Sequence, residues 1–403
     1  MNSNLKKRWF YLAIGVISMF FAGIVYAWSI LKAPLAQEFG WTASELAINF
    51  TLTMSFFCIG GFLGSKLVAR IGVMLTVILS GVLSGLGFVL MSMVNTVMLL
   101  YVTYALMAGL GIGIAYIVII STVNAWFPDK KGLSSGCLMM GFGASSLLLG
   151  NLANALFAIP SIGWKTTYIC LGLATGTMLV IAGLLIRRPD ATVELPKTKA
   201  TLTVRKEKFD QKDYSPVQMI CRPTFWCAFV LLVCLTAVGN TVISFARDLA
   251  MSIGAQVSLA TTLVGVLAVC NGLGRVITGA IFDAFGRRIT MTVATILVVV
   301  AASVTLMAVV MGSLTLCIIG LCITGFSYGT SPTVASVFVT SFYGPKYFST
   351  NFSIINFNLM CASFVATITS KLYLSSGGYV VPFVLLLILA ATTLVLNLLI
   401  KKP

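Results

Sequence analysis

The sequence predicts an all-α membrane protein whose twelve transmembrane helices form two pseudo-symmetric six-helix bundles. Three observations carry that expectation. Of 403 residues, 59% are hydrophobic and 9% charged, a balance foreign to a water-soluble domain of this length. The apolar residues gather into twelve runs of about 22 to 26 residues, each long enough to cross a ~30 Å hydrocarbon layer as a helix. Short strings also recur at a near-constant offset. Trp9-Phe10 align with Phe225-Trp226, and Gly109-x-x-x-Gly113 with Gly325-x-x-x-Gly329, both 216 residues apart, while Gly72 and Gly286 differ by 214. A shared register across two sets of six runs marks a duplication, a construction common in secondary transporters.

The runs fall near 9–31, 46–68, 72–93, 97–120, 133–158 and 165–187, then 224–246, 258–282, 290–311, 314–339, 348–371 and 379–400. The first is too long for a signal-peptide core and has no small-residue cleavage site before Lys32, so it is expected to stay as span one. Residues 1–187 form the expected first bundle and 223–403 the second. Between them, 188–222 is the one long polar stretch. Its Pro189, Pro196 and Pro216 and its mixed charges mark a cytoplasmic linker.

Charge sets the orientation. Twenty-one of the 26 Lys and Arg lie in alternate inter-span segments and at the two ends, which puts both termini on the cytoplasmic side of the inner membrane. The net charge of +16 is thereby explained by topology, and no nucleic-acid partner is required. The ten cysteines are scattered singly without a C-x-x-C pair, and His is absent. Neither a metal nor another cofactor is expected, and the thiols read as packing residues.

Within the run 258–282 stands Arg275, a guanidinium set deep in apolar sequence. Asp283, the nearest water boundary, is eight residues away, or about 12 Å along a helix, close to mid-depth. Placing an Arg there costs at least ~2.5 kcal/mol on insertion scales. It therefore either snorkels along its stem to the headgroups or faces a cavity. Asn271 one turn away, with Gly272 and Gly274 beside it, favours the cavity and an anionic ligand. The clustered glycines (Gly60, Gly61, Gly64; Gly109, Gly111, Gly113 among them) indicate close helix packing, and none follows a strand in a phosphate-binding pattern.

After the eighth run the chain reads Gly279-Ala-Ile-Phe-Asp283-Ala-Phe-Gly286-Arg287-Arg288. This resembles the G-x-x-x-D-x-x-G-R-[RK] signature of the major facilitator superfamily, and the resemblance implies a gating role for Gly279, Asp283, Gly286, Arg287 and Arg288. A carboxylate at a helix end accepts charge-assisted hydrogen bonds. In the matching loop of the first half, Ala69 stands where the acid belongs. Gly23-Ile-Val-Tyr26-Ala27-Trp28-Ser29 and Trp126-Phe127-Pro128-Asp129-Lys130-Lys131-Gly132 are similar to strings of the oxalate/formate antiporter family, a branch related to the monocarboxylate transporters.

That likeness implies that Arg275 binds a substrate carboxylate and that Tyr26 is a site residue. Oxalate exchangers of the branch also carry a Lys in span eleven, whereas here the span holds Asn351, Asn356 and Asn358, with Asn358 at the estimated equivalent position. One cation and neutral amides match one carboxylate and leave a second charge poorly compensated, so a monocarboxylate such as lactate, pyruvate or formate is expected. Asn271 stands where related carriers often have an acid. Tyr116 and Tyr328, buried phenols of spans four and ten, either donate to the anion or bond a neighbouring helix.

All ten acids fall in loops or near helix ends, so no membrane-embedded carboxylate relay is expected. Anion exchange and proton movement alongside the substrate both stay open, making protons or a counter-anion the coupling partner. The expected protein is a monomeric, alternating-access carrier in the lipid bilayer, with oxalate/formate exchange or a non-transporting carboxylate sensor as alternatives. An integral membrane enzyme is disfavoured, because the sequence has no His and no deep acid pair for general acid–base work.

Overall fold

A computed structural model of the chain describes residues 3–190, 193, 195–196 and 213–400. Among the described residues every regular element is helical. Helix α1 (Ser3–Ala22) tightens into a 3-10 turn at Gly23–Ala27 and continues as α2 (Trp28–Phe39), which ends at a left-handed Gly40. A reciprocal cap opens α3 (Ala43–Met91): Thr42 Oγ1 accepts from the Glu45 amide at 3.3 Å, and the Glu45 carboxylate accepts from the Thr42 amide at 2.8 Å. The Thr42 hydroxyl also donates to the Glu45 carboxylate at 2.7 Å, and this bond, with that from the Thr42 amide, favours the ionised acid and holds Glu45 below its ordinary pKa.

With 49 residues, α3 would be about 74 Å long if straight, more than twice the hydrocarbon thickness. It is two spans. The junction is Gly72 (φ 78, ψ 174), a backbone region closed to residues with a Cβ. The 55-residue α10 (Val257–Met311) is divided in the same way at Gly286 (φ 77, ψ −178).

Between these lie α4 (Val97–Leu100), a π-helical stretch at Tyr101–Gly109, and α5 (Leu110–Asn124), which together make span four. Then come α6 (Lys131–Phe157), α7 (Gly163–Leu185), the short α8 (Pro216–Ile220) and α9 (Pro223–Ser252). After α10 follow α11 (Leu314–Tyr343), α12 (Phe348–Ile355), α13 (Asn358–Ser376) and α14 (Val380–Leu399). Span eleven is thus broken at Asn356–Phe357. Among the described residues ten stretches are long and apolar enough to cross a membrane, and the two divided ones hold two spans each, giving the twelve that the sequence predicts.

The chain groups into two compact units. One comprises Met1–Asp129 and Cys137–Thr198, the other Lys130–Gly136 and Lys199–Pro403. Most of the linker expected at 188–222 lies outside the described residues; its end, from Asp213 onward, is within them. In the first unit α3 packs on α5 and α7, with Gly60 against the Leu110 carbonyl and Gly113 against that of Phe57. In the second, α10 and α11 make the most extensive contact, and α9, α13 and α14 complete the bundle. Leu75, Leu79, Val82 and Leu86 recur every three to four residues on α3 and stay 45–49% exposed. Such a stripe suits acyl chains rather than water.

Candidate functional site

In the second unit Arg275 is only 7% exposed, so its guanidinium lies inside the bundle and is not splayed toward headgroups. Its Nε donates to Asn271 Oδ1 at 3.1 Å, one helical turn away on α10. Helix α11 crosses at this level because Gly329 lacks a side chain: a Cβ there would collide with the Asn271 carbonyl and crowd the Arg275 amide. One turn further on, the Thr333 hydroxyl donates to the Arg275 carbonyl at 3.2 Å. Backbone and side chain of Arg275 are therefore both fixed by neighbours. Tyr328 is 8% exposed, with its ring against Gly239 of α9, and lies within electrostatic reach of Arg275.

Asn358 belongs to a chain of neutral polar groups drawn from three spans. The Thr236 hydroxyl on α9 donates to Asn358 Oδ1 at 3.0 Å, and Asn358 Nδ2 donates to the Ile355 carbonyl at 2.7 Å. Thr236 Oγ1 also lies 2.6 Å from Ser331 Oγ of α11. Thr236 has one proton and gives it to Asn358, so Ser331 must be the donor in that second bond. The chain runs Ser331 → Thr236 → Asn358 → Ile355. It leaves Asn358 with one spare N–H and Ser331 with spare lone pairs. Ser331 is three residues from Tyr328 and shares its helix face.

The first unit carries the other two expected site residues. Tyr26 and Tyr116 both meet Phe142 edge-on, with ring centroids 5.4 and 5.1 Å apart, and Phe57 lies 5.1 Å from Tyr116. Tyr116 is buried and Tyr26 partly so. Trp28 is a core residue here: its indole N–H donates to the Leu46 carbonyl at 2.8 Å.

At the junction after span eight, Asp283 caps α6. Its Oδ1 accepts from the Gly132 amide at 2.9 Å and its Oδ2 from the Leu133 amide at 2.8 Å. Both are orphan donors of a helix N-terminus, where the dipole favours a negative charge. Gly279 packs directly against Gly132 and allows the approach. Arg287 is stacked 4.2 Å over the Phe342 ring, while Arg288 is exposed.

The profile of the Major Facilitator Superfamily matches residues 11–366. The chain belongs to the major facilitator superfamily. Its relatives there include the "uncharacterized MFS-type transporter YhjX" of Escherichia coli K12, 27% identical over 88% of this chain and 85% of that one. The oxalate:formate antiporter of Oxalobacter formigenes is 28% identical over 72% of this chain and 66% of its own length. Human monocarboxylate transporter 11 is 29% identical over a shorter stretch, 38% of this chain and 32% of that carrier. A solved structure of the proton:xylose symporter XylE shares the fold, with a TM-score of 0.74 at 13% identity, covering 99% and 97% of the two chains. This superfamily member is accordingly a multi-pass membrane transporter and not an enzyme.

Thr236, Ser331 and Thr333 were not singled out by the sequence reading. Hydroxyls are frequent in the membrane runs, and most bond a carbonyl of their own helix, as Thr324 does with Gly320 at 2.8 Å. Only the crossing of spans separates these three from the rest. The ion pair of Arg8 Nη1 with Asp129 Oδ1, at 2.7 Å, was equally hidden, because Arg8 reads as one more orienting charge.

Proposed function

We propose that this transporter carries a small monocarboxylate, such as lactate, pyruvate or formate, across the cytoplasmic membrane by alternating access, with Arg275 as the anchor for the carboxylate. One observation carries the reading: a guanidinium buried inside the second unit is oriented by a hydrogen bond from its Nε to the neutral amide of Asn271. A planar fork held in this way suits bidentate recognition of a carboxylate. The tie between Asn358 and Thr236 supports a substrate with a single charge, since the span-eleven position offers a neutral N–H and no second cation. Tyr328 lies beside the anchor as a donor, and Tyr26 and Tyr116 are the phenols of the first unit assigned to substrate binding. Asp283, with Gly279, Gly286, Arg287 and Arg288, serves as a releasable cap at the cytoplasmic gate. Both termini are assigned to the cytoplasm on the distribution of Lys and Arg.

Oxalate–formate exchange is the second reading, favoured by the relative that bears that name over 72% of this chain. Counterflow in proteoliposomes decides between them, using labelled lactate, pyruvate, formate and oxalate with and without a pH gradient. The monocarboxylate reading expects formate, lactate or pyruvate to outcompete oxalate, and oxalate competing best would overturn it. Binding without flux for all four would identify a sensor. Stimulation by an inward proton gradient would assign proton symport, and strict dependence on a trans anion would assign exchange.

A further inference from the structure

The repeat offset of 216 places Phe342-Tyr343-Gly344-Pro345-Lys346 on Trp126-Phe127-Pro128-Asp129-Lys130. One of the differences between the two turns removes a charge. In the first unit, Asp129 forms the 2.7 Å ion pair with Arg8, whose guanidinium also lies 4.9 Å over the ring of Phe127. Both side chains are nearly withdrawn from solvent, at 7% and 14% exposure. In the second half the acid position is Pro345, which has neither a carboxylate nor an N–H.

An acid nevertheless reaches this turn from elsewhere in the chain. Asp213, at the end of the linker, accepts from the Lys346 amide through Oδ1 at 3.0 Å. Its carboxylate fills the space where a Cβ of Gly344 would project, and Gly344 itself has φ +77. Both facts require glycine at 344. The next linker residue extends the grip. The Tyr214 amide donates to the Tyr343 carbonyl at 3.0 Å, and its carbonyl accepts from Asn351 Nδ2 at 3.0 Å. The Tyr214 and Tyr343 rings meet edge-on at 5.8 Å, and Arg222 lies 5.3 Å over Tyr214. Ser215 and Gln218 then form a capping box that starts α8, so the chain leaves this contact in a fixed direction. A basic group over an aromatic ring, with an acid nearby, thus accompanies both turns, although at the second the acid, the ring and the cation (Asp213, Tyr214 and Arg222) all come from the preceding segment.

We propose that Asp213 and Tyr214 are positioning residues for transport: the end of the linker replaces the acid missing from the repeat and holds the first turn of span eleven, α12, through Lys346 and Asn351. Helix α12 leads directly into the break at Asn356–Phe357 and to Asn358. A linker that grips α12 sets where that break sits, and so the rate at which span eleven rearranges rather than the contacts made to the substrate. The inference requires the transport activity of the superfamily and does not depend on which anion is carried.

Two measurements on the full-length protein in lipid test it. Hydrogen exchange needs no substrate. Asp213→Ala should speed exchange of the Lys346 amide and of the first turn of α12 by about tenfold, leaving 126–129 unchanged, because one charge-assisted bond is lost. Asp213→Asn keeps an acceptor oxygen and should stay within about threefold of the parent. In counterflow of labelled formate, Asp213→Ala should lower the maximal rate several-fold with KM within about twofold, as expected for a conformational step, and Asp213→Asn should recover most of the rate. Unchanged exchange in Asp213→Ala overturns the proposal, as does a shift in KM without a fall in maximal rate. Absence of formate flux in the parent protein counts against the carboxylate reading alone, and the exchange measurement still decides the role of Asp213.

Discussion

The junctions after spans two and eight share a backbone but differ in chemistry. Gly72 and Gly286 have φ 78 and 77, with ψ 174 and −178, so the chain makes the same bend twice. Three residues earlier one loop has Ala69 and the other Asp283, and only the second supplies two oxygens to the amides of Gly132 and Leu133. A duplicated fold retains what backbone sterics enforce and releases what side chains supply. The same division holds for the interiors. The first unit assembles aromatic rings around Phe142, and the second concentrates the cation, the amides and the hydroxyl chain. On the carboxylate reading, specificity is carried mainly by the second half.

The largest effect is expected at the anchor. Arg275→Ala should lose about 2–5 kcal/mol of anion binding, the range for truncating one side of a buried, hydrogen-bonded charge pair, and counterflow should fall below detection. Arg275→Lys should still cost at least about tenfold in KM, because the point charge cannot reproduce the planar fork. Tyr116→Phe, made in the aromatic first unit, is expected to cost no more than about 1–1.5 kcal/mol, one neutral hydrogen bond. Uptake kinetics of the three variants in proteoliposomes compare the halves directly. Equal losses at Tyr116 and Arg275 would remove the asymmetry.

Next in size is the helix cap. Asp283→Ala removes the acceptor of two charge-assisted bonds, each worth about 1.5–3 kcal/mol, and should slow counterflow by about tenfold through its effect on the conformational step, with KM little changed. Ala69→Asp in the first half has no inherited role to lose and should leave the rate within about twofold, as exposed or solvated substitutions usually do. A rate unaffected by Asp283→Ala would show that the cap is structural decoration. The glycines supply the internal control. Gly72→Ala and Gly286→Ala each force a Cβ into a region costing about 1–3 kcal/mol, so the two should lower the melting temperature equally. Unequal losses would mean that the bends differ in more than side chains.

How much of this was legible in the sequence depends on the range of the interaction. Span number follows from composition and local spacing, the Asp283 motif from its resemblance to a superfamily signature, and Gly72 and Gly286 stand out in the sequence as matched positions of the repeat, while their bends appear only in the structure. Arg275 was found because a charge stands out against an apolar run. Thr236, by contrast, is one hydroxyl among many, and its partners Ser331 and Asn358 lie 95 and 122 residues away. The π-helical winding at Tyr101–Gly109 also left no sign, since an apolar run looks alike at either pitch. Asp213 is hidden for a further reason: a polar, proline-containing stretch marks a connection, and nothing in it signals that its end is bonded to the turn before span eleven.

The smallest predicted effect concerns that hydroxyl chain. Thr236→Val keeps the shape of the side chain and removes the one proton that fixes Asn358 Oδ1. Within a membrane bundle such a bond averages about 0.6 kcal/mol and rarely exceeds ~1.7, so the fold should persist with a small fall in melting temperature. The amide of Asn358 then loses the bond that sets which of its two faces is turned away from Thr236, and its oxygen competes with Nδ2 for the open side. An oxygen presented to an anion repels it, so KM for a carboxylate should rise by about threefold, or ~0.6 kcal/mol, with the maximal rate retained. Thr236→Ser restores the donor and should restore KM. If Thr236→Val changes stability but leaves KM at the parent value, the chain is interhelical glue and Asn358 takes no part in recognising the substrate.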